Sequence, residues 1–439
     1  MLGILTHRDF ARLFAAQVVA LLGTGLLTVG LGLLAYDLAG AAAGMVLGTA
    51  YTVKMVAYVG LSPIAQAVVQ RLPRKAVLIG TDLIRAGVAL CLPFVTDLWQ
   101  VYALIFVLQA ASATFTPAFQ AVIPDILTDE REYTRALSLS RMAYDLENLL
   151  SPALAGVLLL VLSYHWLFLG TVAGFLASTW LVWRATVPPV VGGTARPFRE
   201  RLTRGARIYL ATPRLRGLLS LNLAASAVGA FVLVNTVVLV RVDHGGDESA
   251  LAVAMAAFGA GSMAAALMLP RLLERVGDRP VMLAGAGALV ALAPALGAAL
   301  WAGQTPEWGA FLALWVLIGF AYAAILTPSG RLLRRSAHPQ DRPALFAAQF
   351  ALSHACWLLT YPLAGVAGRW LGMGPALVIA GLVAALGLAL ALRLWPAGQA
   401  RAPLHDHPDL PPDHPHLRTH GQGRHAHTYV IDDLHRRWP

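Results

Sequence analysis

The sequence is short of charge. Only 13% of its 439 residues are Asp, Glu, Lys or Arg, against about 25% in an ordinary soluble protein. With 58% hydrophobic residues, that deficit excludes a soluble globular chain and implies a polytopic membrane protein. Cysteine is scarce too. Cys91 and Cys356 both lie in apolar segments, so there is no disulfide framework and no CxxC pair. There is no GxxxxGK[ST] loop to draw on ATP, no GxSxG nucleophile elbow and no HExxH, so no enzyme is expected. No cleavable leader is expected either. Met1 to Phe10 is polar, and the apolar run behind it has full spanning length.

The charge that is present is lopsided. The formal net charge is +10, mostly Arg. These arginines sit in short loops between apolar segments, so the positive-inside rule explains them better than nucleic acid does. Twelve apolar segments are legible, at 10–36, 44–68, 76–96, 99–123, 136–162, 165–185, 216–240, 249–270, 280–302, 307–328, 343–368 and 373–395. Each has roughly the 20 residues that a ~30 Å hydrocarbon core demands, and backbone in lipid must be helical to satisfy itself. The even-numbered connections carry Arg71, Arg74 and Lys75; Arg131 and Arg135; Arg271, Arg275 and Arg279; and Arg331, Arg334, Arg335 and Arg342. Both termini and a basic linker at 186–215 are therefore expected in the cytoplasm, with the chain in the inner (plasma) membrane.

The chain repeats itself. Val69–Leu78 matches Leu273–Met282, Thr116-Pro117 matches Thr327-Pro328, and Pro152 matches Pro362, always about 204 to 211 residues apart. The reading is an all-α membrane protein of two parallel six-helix halves, 1–185 and 216–395, followed by a tail at 396–439. In such transporters the substrate site lies between the halves near the midplane.

On these residues the chain resembles the major facilitator superfamily over about 5–395. Gln70-Arg71-Leu72-Pro73-Arg74-Lys75 sits where that family keeps an acidic-Arg-x-Gly-Arg-Arg loop; the second half keeps Glu274, Arg275, Gly277 and Arg279. The resemblance implies that these loops clamp helix ends in one gating state. Ser151-Pro152-Ala153-Leu154-Ala155-Gly156 is similar to the Gly-Pro-x-x-Gly-Gly motif of exporters. His7–Gln17 and Phe115–Pro124 resemble the drug-efflux branch that includes macrolide and siderophore exporters. Eight of the 13 His lie after residue 400, which resembles the tail of nickel- and cobalt-resistance permeases.

The charges inside apolar spans are the candidate site. At 1.5 Å per residue, Glu147 lies about 16 Å from the start of its span, with Lys54 and His354 at similar depth. A charge there costs roughly 2.5–3.5 kcal/mol on insertion scales, so it is paired, faces water or does work. Arg141 and Asp145 are i,i+4 and can neutralise each other. Glu147 points elsewhere on the helix. It is read either as a carboxylate that exchanges a proton for a cation or as a structural bridge to Lys54. His354 is either a soft ligand or a hydrogen-bonded core residue. Asp82 and Arg85, i,i+3, read as a helix-anchoring pair.

The tail has no apolar period and is expected to be disordered, except that Tyr429–Pro439 reads as a segment able to dock. His405-Asp406-His407, His414-Pro415-His416 and His425-Ala426-His427 are three H-x-H pairs, whose imidazoles suit nickel, cobalt, copper or zinc. They are either a weak multi-site metal binder or a solvated tail with incidental affinity. No resident cofactor is expected beyond such a metal. The expected partners are the lipid bilayer, protons and a small-molecule or metal-ion substrate, with no nucleic acid and the chain a monomer. The function expected is proton-coupled efflux of a divalent transition metal by alternating access. The alternatives are a multidrug, macrolide-like or siderophore exporter, or a metal-sensing scaffold that does not transport.

Overall fold

The computed structural model describes residues 2–39, 43–69, 72–159, 161–189, 197–398, 402–407, 410–411, 413–421 and 423–439. Arg71 and the Asp145 side chain are outside this set. The first half comprises α1 (Arg8–Ala39), α2 (Ala43–Val69), α3 (Arg74–Cys91), α4 (Leu98–Ile126), α5 (Glu130–Leu159) and α6 (His165–Arg184). A linker helix α7 (Phe198–Ala211) leads to the second half: α8 (Pro213–Val238), α9 (Glu248–Arg275), α10 (Asp278–Trp301), α11 (Trp308–Leu326) with the short α12 (Ser329–Arg334), α13 (Arg342–Leu371) and α14 (Met373–Leu394). Among the described residues, eleven helices are long and apolar enough to cross a membrane. The long helix outside that group is α5, which spans 30 residues and carries Arg141, Asp145 and Glu147.

The two halves pair their helices alike. In the first, α1 packs on α6, α2 on α4 and α3 on α4 and α6. In the second, α8 packs on α14, α9 on α11 and α10 on α11 and α14. The second half has the larger apolar core. Leu218, Leu221, Phe231, Leu289, Trp315 and Leu377 are fully buried around α8. Two of its buried polar side chains are paired: Trp315 Nε1 donates to Thr236 Oγ1 at 3.0 Å and Asn235 Nδ2 to Ala364 O at 3.1 Å. In the first half, Asp82 and Arg85 form an ion pair inside the bundle. Ser178 Oγ donates to Asp82 at 2.7 Å, and the Arg85 guanidinium stacks 4.2 Å from Phe115 and 4.5 Å from Phe175. This pair anchors α3 to α4 and α6, as its i,i+3 spacing suggests.

The linker is more ordered than its basic composition suggests. Gly205, Ile208, Tyr209 and Thr212 recur at helical spacing and are buried. At Gly205 the helix meets α13 backbone to backbone: a Cβ there would lie 2.1 Å from Ala344 O. On the other side, Arg201 Nη1 donates to Ala67 O at the end of α2, at 2.6 Å. The linker helix therefore touches both halves.

The tail corrects the expectation of disorder. Strand β1 (Leu404–His405) pairs antiparallel with β2 (His425–Ala426), and α15 (Pro415–His420) lies between them. Tyr429, Val430 and Ile431 are buried, with Tyr429 and Ile431 joining the second-half core. Few apolar residues suffice because the body supplies the other side of the interface.

Candidate functional site

The basic face of the bundle is closed by ion pairs that cross between halves. At the start of α3, Arg74 Nη1 donates to Asp125 Oδ2 at 2.6 Å; Asp125, near the end of α4, also accepts from Arg342 at the start of α13. In the second half, Asp278 at the start of α10 binds Arg331 at 2.7 Å and Arg335 at 2.6 Å, on and just after α12. Both arginines reach across to Glu130 at the start of α5, Arg331 at 3.2 Å. Arg331 also donates to Thr134 Oγ1, Arg334 to Thr128 O, and Arg131 sits 3.7 Å from Glu274.

The sequence motif explains part of this network. Gly277 caps α10 with φ +85°, a conformation suited to glycine. Arg279 Nε donates to Trp395 O at 2.8 Å and so ties α10 to the end of α14. Arg275 is exposed and Lys75 half-buried; the described ion pairs do not include them. The acids Asp125, Glu130 and Asp278 were not singled out by sequence reasoning. Their signal was an acidic residue at a helix end among arginines.

Deeper in the bundle, α2, α5 and α13 bring three of the candidate residues into one neighbourhood. Lys54 is within electrostatic reach of Glu147, although the ion pairs among the described residues do not include the two. Its Nζ lies 5.6 Å from the centre of the Tyr58 ring, which meets His354 edge-on at 4.8 Å. His354 Nδ1 donates to Phe350 O at 2.7 Å, which leaves Nε2 as the nitrogen able to meet a cation. Tyr144, one turn from Glu147, and Gln17 on α1 extend the group, with Ser140 Oγ donating to Gln17 Oε1 at 3.0 Å. Arg141 belongs to a different contact. Its Nε donates to Ser262 Oγ on α9 at 2.9 Å and its guanidinium lies 5.0 Å from Tyr322 on α11, so it joins the two halves. Its pairing with Asp145 falls outside the described residues.

The tail gathers its histidines. One nitrogen from each of His405, His407, His416, His425 and His427 lies within 4.8 Å of the others. His405 Nε2 and His427 Nε2 are 3.0 Å apart, and His416 Nε2 and His425 Nε2 3.2 Å. For metal–nitrogen bonds of about 2.1 Å, adjacent ligands stand roughly 3.0–3.4 Å apart, so these two pairs are spaced as neighbouring ligands of one ion. His407, His416 and His427 are held below the ordinary histidine range, chiefly by withdrawal from water and also by the neighbouring imidazoles, His416 down to about 4. They are neutral at pH 7, the form that binds metal. His414 is not part of the group: its Nδ1 caps α15, accepting from His416 N at 3.2 Å. His435, which the H-x-H pattern does not contain, stacks beside the cluster at 4.9 Å from His407 and 5.0 Å from His427.

Comparison with known proteins agrees with this architecture. A family model described as Major Facilitator Superfamily matches residues 13–240 and again 218–421. The MFS-type transporter YfiS of Bacillus subtilis (strain 168) is 24% identical over 346 residues, covering 75% of this chain and 79% of that one. Macrolide efflux protein A of Streptococcus pyogenes is 29% identical over 154 residues, 34% of this chain and 37% of the relative. Among solved structures, the human organic anion transporter MFSD10 superposes with TM-score 0.72 at 14% identity, covering 88% of this chain and 99% of that one. A bacterial homologue of the iron transporter ferroportin, in an outward-facing state, superposes with TM-score 0.71 at 14% identity and the same coverage. With a family match over each half and the same paired six-helix bundles, the chain belongs to the Major Facilitator Superfamily.

Proposed function

We propose that this transporter is a proton-coupled exporter of the inner membrane, with its basic face in the cytoplasm, that expels a divalent transition metal of the nickel and cobalt class by alternating access. The observation that carries the reading is Glu147 within electrostatic reach of Lys54 inside the bundle, in the neighbourhood of His354. A carboxylate and an ammonium in such a place form an exchangeable pair. Cargo bearing positive charge takes the carboxylate and frees Lys54; a proton on Glu147 then dismisses the cargo. His354 Nε2 offers a borderline-soft nitrogen to the same ion. Among the tail residues, the five-histidine cluster supports metal as cargo by concentrating the ion at the cytoplasmic mouth. The ion pairs of the basic face are the gate that must break for the inward-facing state.

A second reading has its own observation. The neighbourhood of His354 is aromatic: Tyr58 and Phe350 pack on it and on each other, and Trp357, farther along α13, meets Tyr322 edge-on at 6.3 Å. Such walls suit a planar organic cation, and relatives named for macrolide efflux favour that cargo. Vesicles containing the purified chain separate the two readings. With an imposed proton gradient, nickel or cobalt accumulation that stops in Glu147→Gln supports proton-coupled metal efflux. Metal flux unchanged by Glu147→Gln overturns the coupling role. Transport of an organic cation with no metal flux, unaffected by deletion of 401–439, establishes the second reading.

A further inference from the structure

The tail does more than collect histidines: it joins them to the gate. His405, His425 and His427 each commit Nδ1 to a backbone carbonyl, at Pro403 O, Gly423 O and Thr428 O. A neutral imidazole donating through Nδ1 carries a bare lone pair on Nε2. His405 Nε2 and His427 Nε2 therefore meet lone pair to lone pair at 3.0 Å. That approach is repulsive unless a metal ion or a shared proton sits between them. His435 adds an independent sign. It is 4% exposed, its Nδ1 is held by Asp432 Oδ1 at 2.9 Å, and its Nε2 is buried with no hydrogen-bond partner. A carboxylate that fixes one imidazole nitrogen and leaves the other unsatisfied beside the cluster is the arrangement that orients metal ligands.

The same carboxylate leads to the transporter body. Asp432 Oδ2 lies 3.4 Å from His338 Nε2, in the connection between α12 and α13. Asp433 lies 2.7 Å from Arg204 Nη1 on the linker helix. Arg204 is buried and also grips Asp341, the cap of α13, through two nitrogens. The next residue, Arg342, holds Asp125 of the other half. The linker helix meanwhile reaches the end of α2 through Arg201. Besides its apolar anchor at Tyr429 and Ile431, the tail meets the body through a polar junction that borders a cleft of about 290 Å³ beside Arg204, His338 and Asp432. Such a junction can come apart more readily than an apolar one.

We propose that the tail is a metal-operated latch. A first-row divalent metal bound by the Nε2 atoms of the histidine cluster, with His435 as a further ligand, fixes the tail against α7 and the α12–α13 connection and so steadies the closed basic face. Without the metal, the converging lone pairs push the cluster open, Asp432 and Asp433 loosen, and α7 loses its third support. The latch goes beyond the proposed cargo: it holds whether the transporter carries metal or an organic cation, so long as the tail binds the ion.

The test uses the full chain in lipid nanodiscs, with NiCl2 as the probe. Calorimetry reads binding and hydrogen exchange reads residues 198–211 and 404–439. One tight site per chain is expected, with exchange over 198–211 slowed about 10-fold on metal addition. The pair His405→Ala with His427→Ala should weaken binding by about 100-fold or more and abolish that protection. Asp433→Asn, which touches no ligand, should keep affinity within about 3-fold while losing the protection of 198–211. Binding that leaves 198–211 unchanged overturns the latch. Protection that persists in the double histidine variant assigns the effect to the transport site and also overturns it. Failure of vesicle transport with tail binding and protection intact leaves the latch standing and removes only the proposed cargo.

Discussion

The two halves close the basic face with the same geometry and opposite charge. In the first, α3 begins with a base, Arg74, and α4 ends with an acid, Asp125. In the second, α10 begins with an acid, Asp278, and α12 leads into a base, Arg335. The partners across the interface are inverted too: Asp125 takes Arg342 at the start of α13, whereas Arg335 takes Glu130 at the start of α5. The repeat thus preserves places and lets the sign alternate. Opposite sign is what allows each half to bind the other, because two copies of one charge pattern would repel at the interface. The nodes differ in balance. The first has one carboxylate between two arginines; the second has two carboxylates for two arginines.

That difference ranks the substitutions. Asp125→Asn should have the largest effect, since it leaves Arg74 and Arg342, with side chains 7% and 14% exposed, without this shared partner. Breaking a buried pair on one side costs about 3–5 kcal/mol. The closed state should lose most of its population. A cysteine placed at Ser138, buried behind the gate, should then react with a basic-face thiol reagent at least about 100-fold faster. Asp278→Asn should cost less, about 2 kcal/mol, because Glu130 still serves Arg331 and Arg335; the same labelling rate checks it. Equal rates in the two variants would erase the asymmetry between nodes. At the turn before each node, Gly277→Ala should lower stability by about 1 kcal/mol because of its φ of +85°. Pro73→Ala, at φ −56°, should shift the melting temperature far less. Glu130→Gln should be the mildest, under about 1 kcal/mol and diminished by salt, as its side chain is 40% exposed. A labelling rate above that of Asp278→Asn would contradict the ranking.

Much of the fold was legible because hydrocarbon imposes one solution. Spans of about 20 apolar residues must be helices, and the repeated Arg71–Lys75 and Glu274–Arg279 loops located both nodes before their partners were known. The partners were not legible. Asp125 and Arg342 are 217 positions apart, and Glu130 and Arg335 are 205. Only the docking of two halves brings such pairs together. The first-half loop has Gln70 where the family's loop is acidic; the acid that pairs with Arg74 comes from α4 instead. Within the candidate site, depth put Lys54 and His354 at the same level. It missed Tyr58, which stands between them as an ordinary aromatic in an apolar span. It gave no sign that Arg141 also reaches Ser262 in the other half. In the tail, H-x-H spacing found five of the clustered nitrogens and wrongly enlisted His414, because spacing along a chain says little about which rings a turn brings together.

The backbone-to-backbone crossing at Gly205 makes the linker helix a rocker on a fulcrum. With no side chain between α7 and Ala344, the two helices bear on each other directly at this point. One arm, about 6 Å long at 1.5 Å per residue, ends at Arg201 on the first half; the other carries Ile208 and Tyr209 into the second-half core. Parting of the two halves must therefore tilt this helix, and whatever loads it, from either end, sets how wide the transporter opens toward its basic side.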